Sequence, residues 1–360
     1  MNKQTTNCLV LVLSLAALGL KAAPVYPTLD LDSSKPQLLA LVRANYVDYS
    51  KINYKGNDLG QVIAQSQGGV SVTPAPAASS KMFGTTLPGN VIYWRAGSFT
   101  PATSWADLTA KTNDAAANAS GMILDLRSNT APDDFGGALR IAAFLSRGQT
   151  GLTFQQAAFQ IPAVTGTLHG QPMLVVLTNR QTQGAAEILA AALQARGALV
   201  MGEETTGKAA IFQEVPLSSG SVLRYATSHV YLSNGTDLWN RPVVPDVTTT
   251  ADSQEEAGAL ALIDRQQVSN VITEDAPRHR MSEAALVKGQ DPEQDAFISS
   301  HEQAVVAQAP VTRDIALVEA LDSFKAIRVL QGQESSPQPR VADSISSTGK
   351  TVIASTGLGR

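Results

Sequence analysis

Few residues in this chain are of a type and spacing that can do chemistry. The single cysteine, Cys8, opens an apolar run near the N-terminus. A disulfide framework, a cysteine-based zinc site and a cysteine nucleophile are therefore all excluded from the body of the chain. The four histidines, His169, His229, His279 and His301, stand at no helical or zinc-ligand spacing from one another, which argues against a metallohydrolase. The adjacent acids Asp133 and Asp134 lie in a polar stretch, where such pairs are ordinarily solvated turn residues. What remains are three short stretches with unusual residues, Arg127 to Gly137, Asn179 to Glu187 and Gly202 to Lys208. Each directly follows an apolar run.

Those runs read as strands. Val91 to Ala96, Gly121 to Leu126 (GMILDL), Pro172 to Leu177 (PMLVVL) and Ala198 to Met201 are short and apolar, and helical patterns over Thr103 to Ala117, Phe135 to Leu145 and Gly184 to Ala195 separate them. Strands alternating with helices require crossover connections and a largely parallel sheet, so the fold class is α/β. In such sheets the loops at the carboxyl ends of the strands collect the chemistry, because strand ends and helix N-termini converge there with free backbone N–H groups. A site is expected at the three junctions. Beyond them, Leu217 to Leu232 reads as a turn at Ser218-Ser219-Gly220 feeding two β segments. Glu255 to Ile263 and Asp314 to Leu330 are apolar helical patches suited to packing or to a partner.

The chain has 360 residues, 44% hydrophobic and 16% charged, with a formal net charge of -4. That suits one sizeable core with extensions and offers no basic excess for nucleic acid. Residues 1–22, with Lys3, an apolar run to Leu20 and Ala22-Ala23, have the layout of a secretory signal peptide. The run is shorter than the roughly 20 residues a membrane helix needs. An exported protein, periplasmic or extracellular and without a membrane span in its mature form, is expected. The remaining divisions are a helical lead-in over 23–64, a polar linker over 65–89, the core over 90–250, a helical extension over 251–334 and a Ser/Thr/Pro/Gly-rich tail over 335–360.

Read in order, the junctions resemble the carboxyl-terminal processing, or tail-specific, proteases. The resemblance runs from Asn90 to Asp246 through NVIYWRAGSFTPAT, GMILDLRSN, PMLVVLTNRQTQGAAEILAAALQARGALVMGEETTGK, VPLSSGSVLRYATSHVYLSNG and RPVVPDV. It implies a crotonase-like fold, a serine endopeptidase with a Ser-Lys dyad, a polypeptide substrate in extended conformation and no cofactor. Too few residues separate Gln65 from Asn90 for the PDZ-like domain that many members insert there.

A serine hydroxyl is a weak nucleophile until a neighbouring base takes its proton, and backbone N–H donors must meet the oxyanion that forms. The family supplies a serine, a lysine, a supporting glutamine and a glycine-rich oxyanion loop. Of these, the resemblance leaves the lysine intact, as Lys208. With Glu187 fixing the register, Gly184 occupies the serine position and Ala185 the following oxyanion donor. The glutamine position is Phe212, with Gln213 one residue late and on the opposite face if the segment is a strand. The Asn-Pro-Gly-Gly loop is replaced by Asn129-Thr130-Ala131-Pro132; Ala131 is left as the second oxyanion donor, and Pro132 has no N–H to give.

The resemblance thus implies a protease fold emptied of its nucleophile, retained to bind peptide. The alternative is an active peptidase with a displaced hydroxyl, Thr182 acting with Lys208 as base. Thr182 also reads as a turn or capping threonine, and Ser128, a weaker candidate, is expected to face away in the strand-exit loop. Arg127 and Asp125 are expected to brace the junction by ion pairing. Trp94, Trp105 and Trp239 read as core or cleft-wall residues.

Overall fold

The structure, a computed structural model, describes residues 35–74, 80–129, 134–155, 166–272 and 312–330. The expected signal peptide and C-terminal tail lie outside these residues, as do Ala131, Pro132 and Asp133.

Six strands form the principal sheet, in the order β10-β7-β6-β4-β3-β2. They are β2 (Phe83–Leu87), β3 (Val91–Arg95), β4 (Gly121–Asp125), β6 (Leu174–Thr178), β7 (Leu199–Gly202) and β10 (Val247–Thr248). All neighbours are parallel except β2, which runs antiparallel to β3. The fold is therefore mixed α/β with a largely parallel sheet, as the alternating pattern requires.

Every residue of β3 and β4 is buried, which is why these segments are unbroken apolar runs and not alternating ones. Because successive side chains point to opposite faces, each strand feeds two cores. Ile92, Trp94, Met122, Leu124 and Val176 join the larger one, against α3 (Trp105–Ala116), α4 (Phe135–Leu145) and α5 (Ala185–Gln194), numbered after α1 (Lys35–Asn45) and α2 (Leu59–Gln65). Tyr93, Ile123, Val175 and Leu177 face the other way, onto α6 (Ser253–Asp264) and α7 (Ile315–Leu330) through Leu260, Ile263, Leu317 and Phe324. α6 and α7 are thus packing helices that cover the second face of the sheet. Gly121 is required at this contact: a Cβ there would lie 2.0 Å from the Phe324 ring.

A smaller antiparallel sheet is built on the long β9 (Ser221–Leu232), which pairs with β1 (Val70–Pro74), β5 (Leu152–Phe154) and β8 (Ala210–Pro216). The turn expected at Ser218-Ser219-Gly220 joins β8 to β9, with Leu217 N–H bonded to Ser221 O. The expected linker over 65–89 is corrected here: among its described residues it carries β1 and β2. Both strands hide in polar sequence because only a few of their side chains, Val70 in β1 and Phe83 and Leu87 in β2, are buried.

Helix starts follow their caps. The Ser104 side chain accepts from Asp107 N–H at 3.0 Å at the head of α3, and Asp252 accepts from Gln254 N–H at 2.8 Å at the head of α6. Asp134 accepts from Gly137 N–H at 2.9 Å, so the described member of the adjacent acid pair is the cap of α4.

Candidate active site

The three junctions meet at the carboxyl edge of the sheet. Chain exits β4 into Arg127-Ser128-Asn129, β6 into Asn179 to Gly184, and β7 into Glu203 to Lys208. At the first junction a buried charge network holds the strand ends. Asp125, fully buried, accepts from Arg127 Nη2 at 2.7 Å and from the Tyr93 hydroxyl at 2.8 Å, and Arg95 Nη1 lies 3.5 Å away. Arg127 also donates to both oxygens of Asp314, at 2.9 and 2.7 Å, and so ties the junction to the start of α7. Burial alone would raise the Asp125 carboxyl, but the two guanidinium groups hold it at about 2. The expected bracing role of Arg127 and Asp125 is what the structure shows.

At the second junction Gly184 is the N-cap residue of α5, with φ 58 and ψ -124 and no side-chain cap. A positive φ with this ψ is costly for residues bearing a Cβ, so glycine relaxes a turn that a serine would strain. Ala185, the first residue of the helix, is buried. Its N–H is one of the first-turn donors that have no acceptor within the helix. Thr182 is fully buried; its hydroxyl accepts from Asn179 N–H at 3.0 Å and lies 3.2 Å from Leu126 O. The threonine thus spends its hydroxyl on the turn. Ser128 is a correction. Expected to face away, it lines the cleft described below, at φ 48, with its Oγ accepting from Asn179 Nδ2 at 3.0 Å.

At the third junction Glu187, buried in the first turn of α5, accepts from the N–H groups of Gly207 and Lys208 at 2.6 and 2.7 Å, and from the Thr205 and Thr206 hydroxyls. Burial pushes this carboxyl above its ordinary range against the pull of its donors. Lys208 Nζ donates to Gln67 O at 2.7 Å and lies 5.4 Å from the centre of the Trp239 ring. Trp239 thus packs against the lysine that lines the cleft, whereas Trp94 is core.

Between the loops and the small sheet lies an open cleft of about 670 Å³. Ser128, Asn129, Arg180, Gln181 and Gln183 line one side, Ser71, Thr73, Glu214 and Arg224 the other, with Thr206 and Lys208 also at its wall. Ser71, Arg224 and Glu214 form one row across β1, β9 and β8. Phe212 shares this face of β8, its ring 3.5 Å from the Arg224 guanidinium carbon, so an aromatic ring stands where the family's glutamine is expected. Gln213, the next residue on the strand, is not among the cleft's lining residues. Lys208, Ser128 and Gln183, the residue before Gly184, line the same cleft; the Thr182 hydroxyl is turned inward. No group of three or more His, Asp or Glu side chains suited to a metal ion occurs among the described residues.

Three comparisons bear on this arrangement. Residues 90–249 match the model of peptidase family S41. The chain is 31% identical over 175 residues to a carboxy-terminal-processing protease of Bartonella bacilliformis, covering 45% of this chain and 39% of that protein. It is 33% identical over 159 residues to a chloroplastic C-terminal processing peptidase of Tetradesmus obliquus, covering 43% and 34%. It therefore spans about two fifths or less of the length of these curated relatives. Among solved structures, a photosystem II D1 C-terminal processing protease is 26% identical, with a TM-score of 0.38, over 55% of this chain and 52% of that one. Residues 90–249 thus match peptidase family S41, and over much of this stretch the chain is similar to carboxyl-terminal processing proteases.

Proposed function

We propose that this chain is an exported member of that family which binds polypeptide in an extended conformation in the Lys208 cleft and does not cut it. Gly184 carries the reading: at the helix start where the family's serine stands there is no hydroxyl, and the backbone has settled into a conformation that favours glycine. Acyl transfer without a nucleophile falls many orders of magnitude in rate, since binding and oxyanion contacts alone supply only a small part of catalysis. Two further features agree: the Thr182 hydroxyl is committed to its turn, and an aromatic ring fills the glutamine position. β1, paired with β9, brings Ser71 and Thr73 to the cleft wall, and an added peptide strand along its other edge would lie beside Lys208 and the Gly184 turn. Export rests on the N-terminal apolar run.

Fluorescein-labelled β-casein, an unfolded polypeptide, tests this. Raised anisotropy on titration with the full chain, reduced by Lys208→Glu and accompanied by no fragments on a gel, is the expected result. Fragments that disappear in Lys208→Ala would replace this reading with a peptidase whose nucleophile is displaced.

A further inference from the structure

His229 lies outside the family's machinery, yet it is buried between two carboxylates from distant parts of the chain. Its Nε2 is 3.0 Å from Asp48 Oδ2, ahead of a short 3₁₀ turn at Tyr49–Lys51, and its Nδ1 is 3.0 Å from Asp237 Oδ2, in the loop after β9. A neutral imidazole has one N–H and one lone pair, so between two carboxylates one nitrogen would turn a lone pair toward an acceptor. Only the imidazolium donates to both.

The loop that His229 grips is the one that walls the lysine. Asp237 Oδ1 accepts from Trp239 N–H at 2.9 Å. The Trp239 ring packs edge-on to the imidazole at 6.2 Å and, in turn, faces the Lys208 ammonium. Trp239 and Lys208 are also joined by an antiparallel backbone bridge. We propose that His229 is a positioning residue: bridging Asp48 and Asp237, it seats Trp239 against Lys208 and so sets the place of the lysine at the cleft.

Other charged and titratable groups around His229 are Lys51, which pairs with Asp48 at 2.8 Å, and Tyr231, stacked on the imidazole from the same strand at 6.3 Å. The residues opposite it are uncharged: Ala210 of β8, and Gln155, just past β5, whose N–H donates to the His229 carbonyl. The proposal deepens the reading of the Lys208 cleft as the binding site, but its test needs no ligand and so stands or falls separately from it.

The full chain, labelled with ¹⁵N at tryptophan, is compared with His229→Gln and Asp237→Asn at one pH, and the acetylation of Lys208 by acetic anhydride is read in each by peptide mass spectrometry. Both variants should shift the Trp239 indole resonance and raise Lys208 acetylation severalfold, while acetylation of the exposed Lys111 stays as in the parent. Asp237→Asn keeps the imidazole in place and so tests the clasp even where His229→Gln folds poorly. A folded variant of either kind in which the Trp239 resonance and Lys208 acetylation match the parent would overturn the proposal.

Discussion

The Glu187 carboxylate accepts the backbone N–H of Lys208 at 2.7 Å, so the helix that begins at Gly184 and the strand exit that carries the lysine are fastened by one buried side chain. Four donors converge on its two oxygens, from Thr205, Thr206, Gly207 and Lys208. Glu187→Gln puts an amide NH₂ where one acceptor stood and leaves buried N–H groups unsatisfied. A loss of about 2–3 kcal/mol in urea unfolding is expected. Unchanged stability would mean that the carboxylate does not hold the two junctions together.

The acid limb of stability should carry the mark of Asp125. Its folded value of about 2 lies below the ordinary aspartate range, because Arg127 and Arg95 outweigh the effect of burial. A carboxyl lowered on folding contributes fully above its unfolded value and loses that contribution as pH falls from about 4 toward about 2, here on the order of 2 kcal/mol. Urea midpoints collected through this window should fall more gently for Asp125→Asn than for the parent; equal slopes would contradict the assignment.

Asp314→Ala separates a covering helix from an optional one. It strips Arg127, itself buried, of a bidentate partner at the head of α7. The expected cost is about 3 kcal/mol or more, since the charge left behind stays out of water. A variant as stable as the parent would show that α7 is not fastened to the strand ends in the way described.

For Thr182→Ala the account expects a purely structural penalty of about 1–2 kcal/mol, from loss of the turn bond to Asn179 N–H. Casein binding by the refolded variant should equal that of the parent. Loss of a peptide-cleaving activity on this substitution would instead restore the hydroxyl to a catalytic role.

What the sequence made legible follows from burial. β3, β4, β6 and β7 are short apolar runs because both faces of the sheet are covered, and the crossover helices between them carry clear periodicity. β1 and β2 were hidden because strands with one or two buried side chains read as polar linker; Ser71, Thr73, Thr85 and Thr86 give no apolar alternation. At the site, Glu187 in its small-residue run marks the helix whose N-cap is Gly184. Of the partners of Arg127 and His229, Asp314 and Asp48 were not legible, because they lie 187 and 181 residues away and no local pattern reports such pairings. Ser128 was misjudged because its orientation depends on Asn179, 51 residues away, and on its own positive φ.

The most direct measurement is labelling of the chain with a fluorophosphonate serine-hydrolase probe, beside Gly184→Ser, Lys208→Ala and an active family protease. The account predicts that the protease labels and the parent does not. Gly184→Ser should label even though its turn carries about 1–3 kcal/mol of backbone strain. Labelling of the parent that depends on Lys208 and maps to a hydroxyl elsewhere in the cleft would show a working nucleophile, and the claim that Gly184 empties the site would be wrong.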